Sequence, residues 1–183
     1  MQAVVSLLDD HHTQLTEALW RELETQFGLR GVYTTPHPHF SYHVARSYDL
    51  DSLVPRLDRL IHTTLPFQVR TTGLGIFTGK SPVLTIPIVR SPALTQFHQA
   101  LWSELAACAS GSLAYYGPEQ WLPHITLGSG DIQKDLLAEA VRLLGERDFN
   151  WTITIDNLAF VEEDAASGQR LGFKLTFAGG ADD

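Results

Sequence analysis

Tyr116-Gly117-Pro118-Glu119-Gln120-Trp121-Leu122-Pro123-His124-Ile125-Thr126-Leu127 is the stretch whose reading decides the fold of this chain. Trp121 to Leu127 reads as a strand, and successive side chains on a strand point to opposite faces. His124 and Thr126 therefore share one face, and Ile125 and Leu127 the other. A polar pair with an apolar backing suits a strand that packs under helices and holds functional groups in register. The arrangement occurs a second time at Pro38-His39-Phe40-Ser41-Tyr42, with His39 and Ser41 on one face and Phe40 and Tyr42 on the other. The prolines favour extended backbone in the residues before them.

Outward from these two strands the hydrophobic pattern supplies the remaining elements. Val4 to Leu8 reads as a strand, followed by a helical stripe of Leu15, Leu19, Leu23 and Phe27 that stops at Gly28. Gly31 to Arg46 turns extended; Leu53, Leu57, Leu60, Ile61 and Leu65 predict a second helix ended by Pro66. A third strand is expected over Phe67 to Phe77. The turn Gly79-Lys80-Ser81-Pro82 leads to the apolar run Val83 to Val89, and then to a helix capped by Ser91-Pro92 that carries Leu94, Phe97, Leu101 and Leu105. Leu136 to Leu144 predicts a further helix. Trp151 to Val161 and Leu171 to Phe177 read as a closing hairpin around the polar loop Glu162 to Gln169.

Strand, helix, strand, helix, strand thus occurs twice. Leu19-Trp20-Arg21-Glu22-Leu23 matches Leu101-Trp102-Ser103-Glu104-Leu105; those tryptophans are 82 positions apart and the two motif histidines 85. The expectation is one α+β domain over 1–183 built by internal duplication, about 1–80 and 81–178, with 179–183 a flexible tail. Its two pseudo-symmetric lobes would each be a sheet backed by helices, facing each other across a central cleft.

Composition narrows the function classes. With 44% hydrophobic and 19% charged residues the chain is an ordinary soluble globular protein, and no stretch approaches the roughly 20 apolar residues of a membrane span. The N-terminus lacks a basic region and reaches Asp9-Asp10 at once, unlike a secretory signal. The single cysteine, Cys108, reads as a buried inert thiol and fits a reducing cytoplasm. A net charge of −8 opposes binding to long double-stranded nucleic acid, which requires cations along a groove. An RNA substrate would be engaged near an end, by a protein expected to be monomeric.

Breaking a phosphodiester requires a base to take a proton from the nucleophile and an acid to protonate the departing oxygen. Two imidazoles can share that work, because near their ordinary pKa of about 6.5 one is neutral while the other is protonated. Ser41 and Thr126 would donate to the non-bridging oxygens as negative charge accumulates on phosphorus. Neither a metal nor any other cofactor is needed.

The paired His-x-Ser/Thr-x motifs, together with Tyr116 to Leu127, resemble the two-histidine (2H) phosphoesterase superfamily, also called the 2′-5′ RNA ligase or cyclic phosphodiesterase family. The resemblance spans nearly the whole chain in element order. It implies two pseudo-symmetric lobes with antiparallel sheets around a cleft, and an activity on 2′,3′-cyclic phosphates or 2′-5′ linkages of RNA ends or nucleotides. By motif match it implies catalytic roles for His39 and His124 and phosphate binding by Ser41 and Thr126. The first motif has Phe-Ser-Tyr where the second has Ile-Thr-Leu, and His37 and His43 flank it.

Two other readings stay open. On a regular strand His37, His39 and His43 would share a face, and histidines so spaced can ligate zinc, which makes a metal-dependent hydrolase the rival enzyme. A non-catalytic module that binds a nucleotide or phosphate end is the other. Tyr42, His43, Tyr116 and Trp121 are candidates for base stacking or for the rim of the cleft, with Tyr33 and Tyr115 as further aromatics nearby. Trp20 and Trp102 read as core; His11-His12, His62 and His98 read as solvated surface; Arg70 and Lys80 read as solvated cations.

Overall fold

Leu19 and Leu23, one helical turn apart, are buried with Trp20 on one side of helix α1, Asp10–Phe27. Asp9 caps that helix by accepting from the His12 N–H, and Gly28 ends it in the left-handed conformation at φ 71°. The computed structural model describes residues 1–35, 37–164 and 168–179. Strand β1, Gln2–Leu7, precedes α1; a 3₁₀ turn, Gly31–Thr34, and strands β2, His39–Ala45, and β3, Ser47–Tyr48, follow it. Helix α2 is Leu50–Thr63, and strands β4, Phe67–Arg70, β5, Gly75–Phe77, and β6, Val83–Pro87, come next. Helix α3, Pro92–Ala106, begins as expected, with Ser91 accepting from Leu94 N–H and proline in its first turn. Strand β7, Ala109–Ser110, a second 3₁₀ turn, Ala114–Tyr116, and strand β8, His124–Gly128, lead to helix α4, Lys134–Leu144. Strands β9, Thr152–Ile155, β10, Asn157–Asp164, and β11, Gly168–Thr176, complete the order.

One antiparallel sheet runs β11-β10-β1-β2. The other lobe contains the antiparallel sheet β5-β6-β8 and the pair β4-β9, linked where Thr71 bridges Ile88. The two motif strands, β2 and β8, are thus the edges at which the sheets approach each other. The expected α+β class with antiparallel sheets backed by helices is the observed one. Several boundaries differ. The extended run from Gly31 begins as a 3₁₀ turn, Phe67 to Phe77 divides into β4 and β5, and Trp151 to Val161 divides into β9 and β10. The polar loop of the last hairpin includes 165–167, and the tail 180–183; both lie outside the described residues.

The lobes are not the two halves of the sequence. From the first half, β5 joins the sheet of β6 and β8 and β4 pairs with β9, while from the second, β10 pairs with β1 and β11 extends that sheet beyond β10. Helices cross over as well: α1 packs on β8, and α3 packs on β2. A third strand that leaves its own half buries its apolar face against the other sheet, so one continuous core joins both lobes, from Val4 and Leu23 to Leu84, Ile125 and Ile155. No described helix is long and apolar enough to cross a membrane.

Candidate active site

Each motif strand is locked in register before its histidine. Leu8 N donates to Pro38 O at 3.2 Å and Ile88 N to Pro123 O at 2.8 Å, so His39 lies opposite Leu7 and His124 opposite Pro87. Three residues beyond each histidine the ladder skips one position. Val5 pairs with Ser41 but Val4 with His43, leaving Tyr42 as the extra residue. Thr85 pairs with Thr126 but Leu84 with Gly128, leaving Leu127 extra. Two equivalent β-bulges therefore follow the two motifs.

A bulge reverses the alternation of faces beyond it. His39, Ser41 and Val44 line one cavity of about 210 Å³ together with His124 and Thr126 from the other lobe. All four residues predicted to do the chemistry meet there. His43 is turned into the core, where its Nδ1 pairs with the Tyr48 hydroxyl and its ring lies 4.4 Å from that of Trp102. The even spacing of His37, His39 and His43 thus does not place them on one face, and the metal-ligating reading loses its geometry. Among the described residues no group of three His, Cys, Asp or Glu is placed to hold a metal ion.

The aromatic candidates separate in the same way. Tyr116 lines the cavity, but Tyr42 and Trp121 are 0% and 1% exposed and belong to the core, as does His43. Tyr42 opposes the cavity face of its strand, with its ring 4.9 Å from Phe40 and its hydroxyl bonded to Ser6 Oγ. His98 and His12 are also buried, contrary to the surface reading. His12 Nδ1 bonds the capping carboxylate of Asp9. His98 occupies the buried stripe of α3 between Leu94 and Leu101, and that spacing was the available signal for it. Thr34, Thr35, Ser129 and Gln169 also line the cavity, and Phe77 packs edge-on to His124 at 4.7 Å. These come from loops and distant strands and carry no local signal.

The two motif imidazoles are held alike. His39 Nδ1 lies 2.7 Å from His37 O and His124 Nδ1 2.7 Å from Leu122 O. A carbonyl only accepts, so each Nδ1 carries the proton and Nε2 is left to titrate. Burial, opposed by the bond to His37 O, holds His39 below the ordinary imidazole value, and the charges of His124 and His37 lower it further. Burial likewise lowers His124, with the Leu122 carbonyl opposing. Two basic nitrogens and two hydroxyls around one cavity, each pair delivered by a rigid strand, are suited to moving protons around a bound oxyanion.

A sequence profile of the 2′-5′ RNA ligase superfamily matches residues 9–166, which include both motif strands. The chain belongs to that superfamily. Its fold is shared by TT0787 of Thermus thermophilus, with a TM-score of 0.65 at 15% identity, covering 98% of this chain and 99% of that one. It is shared too by E. coli LigT complexed with 3′-AMP, with a TM-score of 0.60 at 14% identity, covering 96% and 97%. LigT complexed with ATP gives 0.59 at 15% identity, covering 96% of each chain. No curated protein matches in sequence. The resemblance carried by the two motifs thus extends to a superfamily match over most of the chain.

The buried imidazole behind the first motif makes stability pH-dependent. Burial pushes His43 down to about 4, with the charge of His98 adding to the effect. The unfolded chain, with an ordinary imidazole near 6.5, binds the extra proton first, so stability is full above about pH 6.5 and is lost as the pH falls toward 4. For His43 this loss is on the order of 3 kcal/mol. The urea midpoint of the wild type should therefore fall between pH 6.5 and 5 more steeply than that of His43→Phe; equal slopes would contradict the assignment.

Proposed function

We propose that the protein is a metal-independent phosphodiesterase acting on 2′,3′-cyclic phosphates or 2′-5′ linkages of RNA ends or nucleotides. The observation that carries this reading is the convergence of His39, His124, Ser41 and Thr126 on one cavity, with both Nδ1 atoms anchored on the carbonyl two residues upstream. In hydrolysis of a cyclic phosphate, the neutral imidazole takes a proton from water through Nε2 as the water oxygen bonds to phosphorus. The protonated imidazole gives its Nε2 proton to the departing ribose oxygen as its bond to phosphorus breaks. Ser41 and Thr126 donate to the non-bridging oxygens, where charge accumulates. Membership of the superfamily and a fold shared with nucleotide-bound LigT support a small nucleotide or RNA-end substrate.

The test is a panel of 2′,3′-cyclic mononucleotides, cyclic-phosphate-ended oligonucleotides and 2′-5′ dinucleotides, assayed in EDTA across pH. Turnover that resists EDTA is expected; nucleotide binding without product would favour a binding module, and EDTA-sensitive turnover a metal enzyme. Because both histidines are lowered from 6.5, kcat/KM should form a bell whose alkaline limb begins below about pH 6.5. The limbs belong to the pair and not to either residue. An anionic phosphodiester favours imidazolium, so the kcat profile should lie at higher pH than that of kcat/KM. A kcat/KM still rising above about pH 8 would overturn the two-imidazole mechanism.

A further inference from the structure

Both bulges expose the backbone next to a proposed phosphate-binding hydroxyl, and at both the carbonyl of that residue is met by an indole from a distant segment. Trp121 Nε1 donates to Ser41 O at 2.8 Å, and Trp20 Nε1 donates to Thr126 O at 2.9 Å. Each indole comes from a segment that meets the opposite motif. Trp20 lies on α1, which crosses from the first half of the chain to cover β8, and Trp121 stands three residues before His124 while binding the first motif. At the first bulge the contact is reinforced. His98 lies flat on Trp121, ring centroids 3.8 Å apart and planes 9° apart, and its Nε2 donates to Tyr42 O at 3.0 Å. The internal sequence match pairs Trp20 with Trp102, but Trp102 packs on His43; the structural counterpart of Trp20 is Trp121.

We propose that Trp20 and Trp121 are a matched pair of positioning residues. Each indole N–H fixes the peptide that follows a phosphate-binding hydroxyl, Thr126 or Ser41, and so sets the direction in which that hydroxyl enters the cavity. This inference rests on the phosphate-binding reading of Ser41 and Thr126. A bulged strand edge has few ladder bonds to hold its peptide plane, and a displacement of about 1 Å at a reacting centre costs on the order of 100-fold in rate. A buried donor aimed at the carbonyl removes that freedom. It also ties the lobes, since motif one is held by the segment that leads into motif two.

Double-mutant cycles on cyclic-nucleotide turnover test the proposal, pairing Trp121→Phe with Ser41→Ala and Trp20→Phe with Thr126→Ala. Phenylalanine keeps an aromatic ring and removes the N–H. Each single tryptophan variant should lower kcat on the order of tenfold with little change in KM. Within each matched pair, removing the hydroxyl should cost much less once the indole N–H is gone, whereas the crossed pair Trp121→Phe with Thr126→Ala should be additive. Additive matched pairs, or equal coupling in matched and crossed pairs, would overturn the positioning role. If a phenylalanine variant does not fold, benzothienylalanine at that one position, with sulfur in place of the N–H, completes the same cycle. If the wild type turns over no phosphodiester, the functional reading fails first. The cycles are then read in calorimetric affinity for a nucleoside 2′-monophosphate, where additivity or absence of binding overturns the positioning role as well.

Discussion

Replacing His124 with alanine is expected to lower kcat/KM for a 2′,3′-cyclic nucleotide by about 10²–10⁴-fold, the contribution of one positioned acid or base, while leaving the chain folded. His124 is half-buried, and the hydrogen bond it would lose is local, to Leu122 O two residues away. A single such bond contributes about 1 kcal/mol, too little to unfold a domain with a core spanning both lobes. His39→Ala should behave in the same way, since His39 is held by the equivalent bond to His37 O. Because the two imidazoles act on one proton-transfer sequence, the double variant should be far less impaired than the product of the single losses. Steady-state kinetics with circular dichroism on each variant checks this. A fully active His124→Ala protein would remove the mechanism altogether.

Gly31→Ala is the second large expectation, and it concerns no reacting group. A β-carbon at Gly31 would stand 1.8 Å from Ser129 O and 2.9 Å from Asp131 Oδ1. Gly31 opens the 3₁₀ turn after α1, and the turn is drawn onto the loop beyond β8 because Arg30 N and Gly31 N both donate to Asp131 Oδ2, at 2.5 and 2.7 Å. Backbone on one side and backbone on the other leave no flexible side chain to yield. The segments must separate by more than an ångström, at an overpacking cost of about 1–3 kcal/mol. Val32, Thr34 and Thr35 from the turn and Ser129 from the loop all line the cavity, so the same separation displaces its walls. The urea midpoint should fall, and kcat/KM should drop on the order of 100-fold in the protein that remains folded. Wild-type values in both would show that the two segments part without consequence.

Local features of this fold follow from neighbours along the chain. Pro38-His39-Phe40-Ser41 and Pro123-His124-Ile125-Thr126 alternate over few enough residues that facing is decided by period two alone, and the four polar side chains do share a cavity. The serine cap of α3 and the glycine end of α1 are equally local, since a cap is satisfied within one turn. Misreadings begin where a partner strand intervenes. His43 follows His39 by an even interval, yet the extra residue at Tyr42 turns it inward, and nothing within Ser41-Tyr42-His43 shows that β1 skips a position there. Trp121, which opens the expected strand and is a candidate for base stacking, is buried where α3 brings His98 against it.

The exchange of strands between the halves belongs to the same class of fact. Repetition of an element order shows that two similar units exist, and the paired motifs point to a shared cleft. Which sheet receives Phe67–Phe77 depends on which edge can bury its apolar face, and only the assembled core answers that. The sequence by itself determined the four helices, the two motif strands and the faces of their first residues, because periodicity and capping act over a few residues. Tertiary structure alone decided the bulges, the crossed helices and the indoles that meet the motif carbonyls. The indoles satisfy the backbone groups of one segment with donors from another, 106 positions away for the Trp20 contact, and the crossed helices complete a core that no single half can close.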